Sequence, residues 1–403
     1  MNNTDQKSTI IIGAGLSGMA AAKALRSRGI PVTILDASER VADTWRARHP
    51  QLRLNIHRHF AQLPGYKITK TDGIYVHRDT VVEFLGEYAE KLGTPILHNT
   101  TVTSVDREGD VWCVTSNKGT FRCANVIVAT GREKLKSIPE WPGLEDFQGE
   151  VIHSADLGDI KQFDGKNVLV IGAGNSGTDV LNHLSRSNPA QVWVSVRYRP
   201  AMLPSRIFGY PLHRLANVFA SFPKWALDSA FATTQWLFIG DLRRYGLLSH
   251  ADGGGTRMLR DGITFGLDNG FVSALKKGRF LAVSETTRFH KNGVELKNGR
   301  VLHPEVVICA TGYRAGLGGL LDGLNALDNR GYPLHPKGQT DPDNPGLWFT
   351  GFGVVFLGFF YAAGVSAKRI AKAISAQPAI STSTKSTHSS EITRRASGKK
   401  VTV

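Results

Sequence analysis

The chain has 403 residues, enough for two domains and a tail, with 41% hydrophobic and 9% aromatic residues as in an ordinary globular protein. Of its formal net charge of +15, residues 377–403 contribute +4, and the remaining +11 is spread along the chain without interleaved aromatic residues. That argues against nucleic-acid binding and favours anionic cofactors. The three cysteines, Cys113, Cys123 and Cys309, form no Cys-x-x-Cys pair, which argues against a disulfide scaffold and a redox dithiol.

In chain order, Met1 to Ser8 is short and polar, so no signal peptide and a cytoplasmic location are expected. The apolar run Ile10-Ile11-Ile12 reads as a buried parallel strand and leads into Gly13-Ala14-Gly15-Leu16-Ser17-Gly18. In such a turn the first glycine bends the chain, the second lets backbone approach a pyrophosphate, and the third lets helix pack on strand. The helix start then offers free N–H groups to phosphate oxygens. The next strand, Val32 to Leu35, ends in Asp36, whose carboxylate can accept hydrogen bonds from ribose hydroxyls. His49, His57 and His59 invite a metal reading, but no Cys or Glu joins them at a zinc or iron spacing. They are read as surface or hinge histidines, and no metal site is expected.

A hairpin-rich stretch leads to Val111-Trp112-Cys113-Val114 and then to Asn125–Val128, followed by Ala129-Thr130-Gly131. A second strand and glycine-rich turn follow in Val168 to Ile171 and Gly172-Ala173-Gly174-Asn175-Ser176-Gly177. Its matching second strand, Val192 to Val196, ends in Arg197, whose planar fork suits a 2′-phosphate; the alternative is an exposed strand-end arginine. The first site is therefore read as FAD and the second as NADPH. One such turn is a weak signal, but two imply dinucleotides that exchange electrons.

Leu215 to Gly240 is apolar and aromatic, broken by Pro223, Lys224 and Asp228, and fits either a substrate-access flap or a membrane-touching surface. A second strand-Ala-Thr-Gly element, Val306 to Cys309 with Ala310-Thr311-Gly312-Tyr313, comes late. Asn344 to Ala367 carries no charge and is long enough on paper to span a membrane, but glycines interrupt it. A buried strand, turn and helix against the flavin is the expectation, so membrane contact is not expected. Residues 377–403 are basic and rich in Ser and Thr, and read as a disordered tail. The expected layout is α/β with two Rossmann-like dinucleotide-binding domains. A discontinuous FAD domain (1–159 and 299–376) carries an inserted NADPH domain (160–298).

This order of elements, with the linker Phe147-Gln148-Gly149-Glu150-Val151-Ile152-His153 between the turns, resembles the class B flavin-dependent monooxygenases. The likeness spans roughly residues 8 to 374 and is greatest to the YUCCA-type and flavin-containing monooxygenases. It is carried by Ala42-Asp43-Thr44-Trp45, by Leu52-Arg53-Leu54-Asn55 leading to Phe60-Ala61-Gln62-Leu63-Pro64, and by Leu203-Pro204-Ser205-Arg206 after Arg197. The resemblance implies that NADPH reduces the flavin, that O₂ adds at C4a to give a peroxide, and that one oxygen atom passes to a small organic substrate. It places Trp45 at the flavin and Asn55 near C4a, as a stabilising contact. The YUCCA-type character implies oxidative decarboxylation of an aryl 2-oxo acid resembling indole-3-pyruvate. The rival readings are N- or S-oxygenation, and an NADPH-dependent flavin reductase or oxidase that passes electrons to a partner. The chain departs from the pattern at Leu157, where relatives carry an aromatic residue. It departs again at Ala42-Asp43-Thr44, which often includes a Gly-Gly pair, and at Asn55, usually His in YUCCA-type proteins. His153 is read as ordering the hinge between domains.

Overall fold

The computed structural model describes residues 8–68, 73–198 and 200–377. The tail expected over 377–403 lies outside them apart from Gln377. Among the described residues, two five-stranded parallel sheets organise the chain. The first has the order Leu347–Phe349, Asn125–Val128, Thr9–Ile12, Val32–Leu35, Ile96–Leu97. The second has the order Glu150–His153, Val306–Cys309, Asn167–Ile171, Gln191–Ser195, Phe280–Val283. Both central strands are apolar because helices or loops cover both faces of a parallel sheet: Thr9–Ile12 is buried throughout, and Asn167–Ile171 from Val168 onward.

Each glycine-rich turn leaves the C-terminal end of a central strand, at the point where strand order reverses, which is the ligand-binding position of such sheets. The register brings the Ala-Thr-Gly element of the neighbouring strand beside the turn. Gly13 has φ +108° and a Cβ there would lie 2.7 Å from the Ala129 carbonyl oxygen. Gly172 has φ +93° and its Cβ would lie 2.6 Å from the Ala310 carbonyl oxygen. This pairing corrects the expected domain boundaries. Val306–Cys309 and Glu150–His153 belong to the second sheet, so the inserted unit reaches from 150 to 309, beyond 160–298. The second Ala-Thr-Gly element is a partner of the second turn, not a return to the first unit.

In the first unit, helix Leu16–Arg26 buries Met19, Ala20, Ala21, Ala22 and Leu25, and helix Phe359–Ala376 packs against it with Ala363, Ala367, Ile370 and Ile374. Alanine faces let two backbones approach closely, while each buried Leu or Ile contributes about 1.5–3 kcal/mol. The uncharged stretch from Asn344 resolves as expected into the buried strand Leu347–Phe349, a turn and this helix. No described helix is long and apolar enough to cross a membrane. The hairpin-rich stretch is a three-stranded antiparallel sheet, Val102–Glu108, Val111–Ser116 and Gly119–Cys123.

The chain crosses between the units twice, and the crossings are joined: Leu135–Lys136 pairs antiparallel with Tyr313–Arg314. His153 braces them. Its Nδ1 accepts from the Ala155 N–H (3.1 Å), so Nε2 carries the proton and donates to the Gly312 carbonyl (3.0 Å).

The tightest backbone approaches lie at the third glycine of each turn, where a Cβ would sit 2.0 Å (Gly18) or 2.1 Å (Gly177) from the carbonyl oxygen of the first. We expect Gly18→Ala and Gly177→Ala each to lose about 3 kcal/mol, because backbone rather than a flexible side chain must give way. Urea unfolding midpoints compared with the parent check this.

Candidate functional site

Both turns open into one cavity of about 930 Å³ between the units. From the first unit Gly13, Gly15, Asp36, Trp45, Asn55, Ala129, Thr130 and Gly131 line it; from the second, Asn175 and Ser176. Gly18, Gly172, Gly174, Gly177, Ala310, Thr311 and Gly312 shape the turns without lining the cavity. Six cationic side chains (Arg40, Arg48, Arg53, Arg132, Lys134, Arg186) face four anionic ones (Asp36, Asp43, Glu133, Asp179) on its wall, a balance that suits polyanionic ligands.

Asp36 holds the first turn in shape, since its carboxylate accepts from the Ala14 N–H and from the Ser38 N–H (2.8 Å). Its oxygens keep lone pairs for further donors. Asn55 bridges the units: its Nδ2 donates to Oδ1 of Asn175 at 2.9 Å. The loop of the first unit is thereby tied to the helix start of the second phosphate turn. Trp45 packs against Phe360, with ring centroids 6.5 Å apart. Arg48 reaches the Tyr313 hydroxyl and lies 3.4 Å from Glu133. Arg197 stands apart from the cavity wall, 74% exposed at its side chain, with Glu285 at 3.6 Å.

One end of the cavity is apolar and aromatic. Phe231 and Phe265 stack at 4.3 Å, Phe356 lies within 6.1 Å of both, and Phe219, Leu203 and Leu267 complete the walls. Phe219 and Phe231 come from the apolar stretch Leu215–Gly240, whose Trp225 and Trp236 stand exposed. His213 supports the chamber. Its Nδ1 accepts from the His57 N–H (3.1 Å) and its Nε2 donates to the Phe356 carbonyl (3.1 Å).

The histidine reading needs one correction. His49 is not a surface residue: it is 6% exposed, with Nε2 3.3 Å from Oδ2 of Asp179, whose Oδ1 lies 3.5 Å from Nε2 of His183. Local spacing around His49 could not reveal partners from the other unit. The only sequence signal is that Asp179 and His183 stand four apart on one helix.

With this geometry in view, the chain matches the pyridine nucleotide-disulphide oxidoreductase family over residues 10–211. It is 32% identical over 360 residues to the probable indole-3-pyruvate monooxygenase YUCCA3 of Arabidopsis thaliana, covering 85% of this chain and 81% of that one. It is 30% identical over 351 residues to the indole-3-pyruvate monooxygenase YUCCA1 of Oryza sativa subsp. japonica, covering 85% and 86%. The fold is similar to a flavin-containing monooxygenase from Stenotrophomonas maltophilia (TM-score 0.70, 24% identity, 92% of this chain and 98% of that). It is also similar to cyclohexanone monooxygenase (TM-score 0.68, 18% identity, 91% and 87%).

This chain belongs to the class B flavin-dependent monooxygenases. The enzymes of this family use FAD and NADPH, and the residues present in this monooxygenase fit both. Gly15 lines the cavity and a Cβ there would meet nothing within 4 Å, so backbone at the first turn faces open space of the kind a pyrophosphate needs; at the second turn Asn175 and Ser176 face the same cavity. Thr130 Oγ1 is buried on the cavity wall with no hydrogen-bond partner, whereas Thr311 in the matching element donates to the Ser137 carbonyl. An orphaned buried hydroxyl beside the first turn is a position waiting for a ligand atom. The disulphide of the family description has no counterpart: all three cysteines are buried and unpaired, and burial pushes the Cys123 and Cys309 thiols up to about 12.

Burial, reinforced by Arg214, lowers the His57 pKa to about 4, and burial holds His213 at about 4 against the opposing pull of the Phe356 carbonyl. Burial also lowers His153. An unfolded histidine titrates near 6.5, so the fold favours the neutral forms. Their contribution to stability is complete above about pH 6.5 and is lost as the pH falls from there to about 4. We expect the thermal midpoint to drop over that window and His213→Gln to flatten part of the drop, as checked by scanning calorimetry across pH.

Proposed function

We propose that the enzyme uses NADPH and O₂ to decarboxylate an aryl 2-oxo acid oxidatively. The first turn, with Asp36, Trp45 and Ala129-Thr130-Gly131, would hold FAD. The second turn, with Asn175, Ser176 and Arg197, would hold NADPH. The observation that carries the reading is the hydrogen bond between Asn55 and Asn175 inside a cavity that both turns share. It ties the loop of the first unit to the second phosphate turn, which supports two dinucleotides bound side by side in one cleft. When bound, the two cofactors supply the reducing equivalents and the activation of O₂.

The chain's own residues do the rest. Backbone N–H groups at the two helix starts take the phosphates. Asn55, fixed by Asn175, presents an amide to the reacting centre and orients it. The Phe231, Phe265 and Phe356 chamber takes the aromatic part of the substrate and excludes water, which suppresses the unproductive release of hydrogen peroxide. The indole-3-pyruvate monooxygenases among the relatives support an aryl 2-oxo acid as substrate, and the stacked Phe231 and Phe265 with Phe356 edge-on to Phe265 suit an aryl ring. The reaction balances as 2-oxo acid, O₂, NADPH and a proton giving the carboxylic acid one carbon shorter, CO₂, water and NADP⁺. Arg197 swings from Glu285 to take the 2′-phosphate.

Purified enzyme with FAD and NADPH is tested against aryl 2-oxo acids, amines, thioethers and ketones, following NADPH, H₂O₂ and labelled oxygen from ¹⁸O₂. Stimulation by aryl 2-oxo acids, one labelled oxygen in the shortened acid and little H₂O₂ is expected. Stimulation by amines or thioethers alone would move the substrate class to N- or S-oxygenation. Peroxide as the sole product with every compound would overturn the oxygen-transfer assignment. In Arg197→Gln the KM for NADPH should rise about 10- to 100-fold with NADH turnover unchanged, since a charge-assisted contact of about 1.5–3 kcal/mol is removed. Steady-state kinetics with both cofactors measures the split.

A further inference from the structure

The cleft holds one cluster that oxygen transfer does not use. Asp179 and His183 lie one turn apart on helix Asn175–Leu184 of the second unit, and His49 reaches them from just after the short helix Asp43–Arg46 of the first. The Nε2 of His49 is 3.3 Å from Oδ2 of Asp179 and the Nε2 of His183 is 3.5 Å from Oδ1, so each imidazole addresses a different carboxylate oxygen. One atom from each of the three residues falls within 4.8 Å of the others. The rings stand nearly edge to face, at 76° with centroids 5.4 Å apart, so they do not stack away from the carboxylate.

These separations are long for N–H···O bonds, which fall at roughly 2.7–3.2 Å. The His49–Asp179 separation is close to the edge of a coordination tetrahedron, about 3.3 Å when bonds to nitrogen and oxygen are about 2.0–2.1 Å, and the His183 separation runs to the other carboxylate oxygen. Both histidines are under 10% exposed, at 6% and 9%, yet all three residues border the cavity, so a solvent or ligand atom can complete the shell. Two imidazoles and one carboxylate suit a first-row divalent ion such as Zn²⁺ and not Mg²⁺ or Ca²⁺, which prefer all-oxygen shells.

We propose that His49, Asp179 and His183 form a divalent transition-metal site that bridges the two nucleotide-binding units. One ligand comes from the first unit and two from the second, so a bound ion ties the walls of the cleft together. The site is independent of which substrate the enzyme oxidises.

The test uses tag-free, FAD-loaded enzyme stripped with a chelator and titrated with Zn²⁺ against a chromogenic competitor. One equivalent is expected to bind, with a raised thermal midpoint. Affinity should fall about tenfold or more in His49→Ala and in His183→Gln, and return in His183→Cys, which restores a ligand. His59→Ala, an exposed histidine outside the cluster, should bind as the parent does. Flavin absorbance and the metal-free midpoint establish that each variant is folded; where His49→Ala is not, His49→Gln replaces it. Absence of stoichiometric binding, or parent-like affinity in the folded His49 and His183 variants, overturns the site. Loss confined to the His183 variant overturns the bridge.

Discussion

The molecule depends on a steric contact repeated twice: a glycine at positive φ whose missing side chain leaves room for the carbonyl of the neighbouring strand. At Gly13 that carbonyl belongs to Ala129 and at Gly172 to Ala310, with nearly the same spacing. Because the turn and the Ala-Thr-Gly element must touch, a parallel strand has to lie beside each glycine-rich strand. That requirement sets the centre of both sheets. Everything at the cavity hangs from these two edges: the helix starts, the orphaned Thr130 hydroxyl, and the Asn175 amide that Asn55 meets.

The same contact separates what could be read from sequence from what could not. The turns, their strands and the two-unit α/β plan were legible because glycine placement and apolar runs are local patterns. So was the strand, turn and helix after Asn344, because glycines interrupt the apolar run. The assignment of Val306–Cys309 was not. Its Ala-Thr-Gly ending is chemically the same as that of Asn125–Val128, and only hydrogen-bonded register tells which sheet it joins. Asn55 was singled out through a family pattern, but its partner Asn175 is 120 residues away and no spacing rule reaches it. The surface alternative for His49 failed for the same reason, since its Asp179 partner lies on a helix of the other unit. Arg197 illustrates the converse. Its position after the second strand is as expected, yet it stands exposed beside Glu285, so sequence position alone does not bring a side chain to the cavity wall.

The cavity divides its chemistry by region. Charged and glycine-rich surfaces lie where the two turns converge, and the aromatic chamber lies beside the apolar stretch Leu215–Gly240. A polyanionic pair of cofactors and an apolar ring can therefore be recognised by different walls. The histidines beneath the chamber are held neutral by burial and by defined hydrogen bonds, so they buttress the aromatic wall without adding charge to it.

The two passages of chain between the units bear on how the enzyme can move. They are zipped to each other as a short antiparallel ribbon and pinned by His153 on the Gly312 carbonyl. Two adjacent, mutually bonded crossings act like the knuckles of a single door hinge. They resist sliding and twisting, because either would shear the ribbon, and leave rocking about one axis as the soft mode. A swing of one unit about that ribbon would open the cleft with no change in the length of either passage.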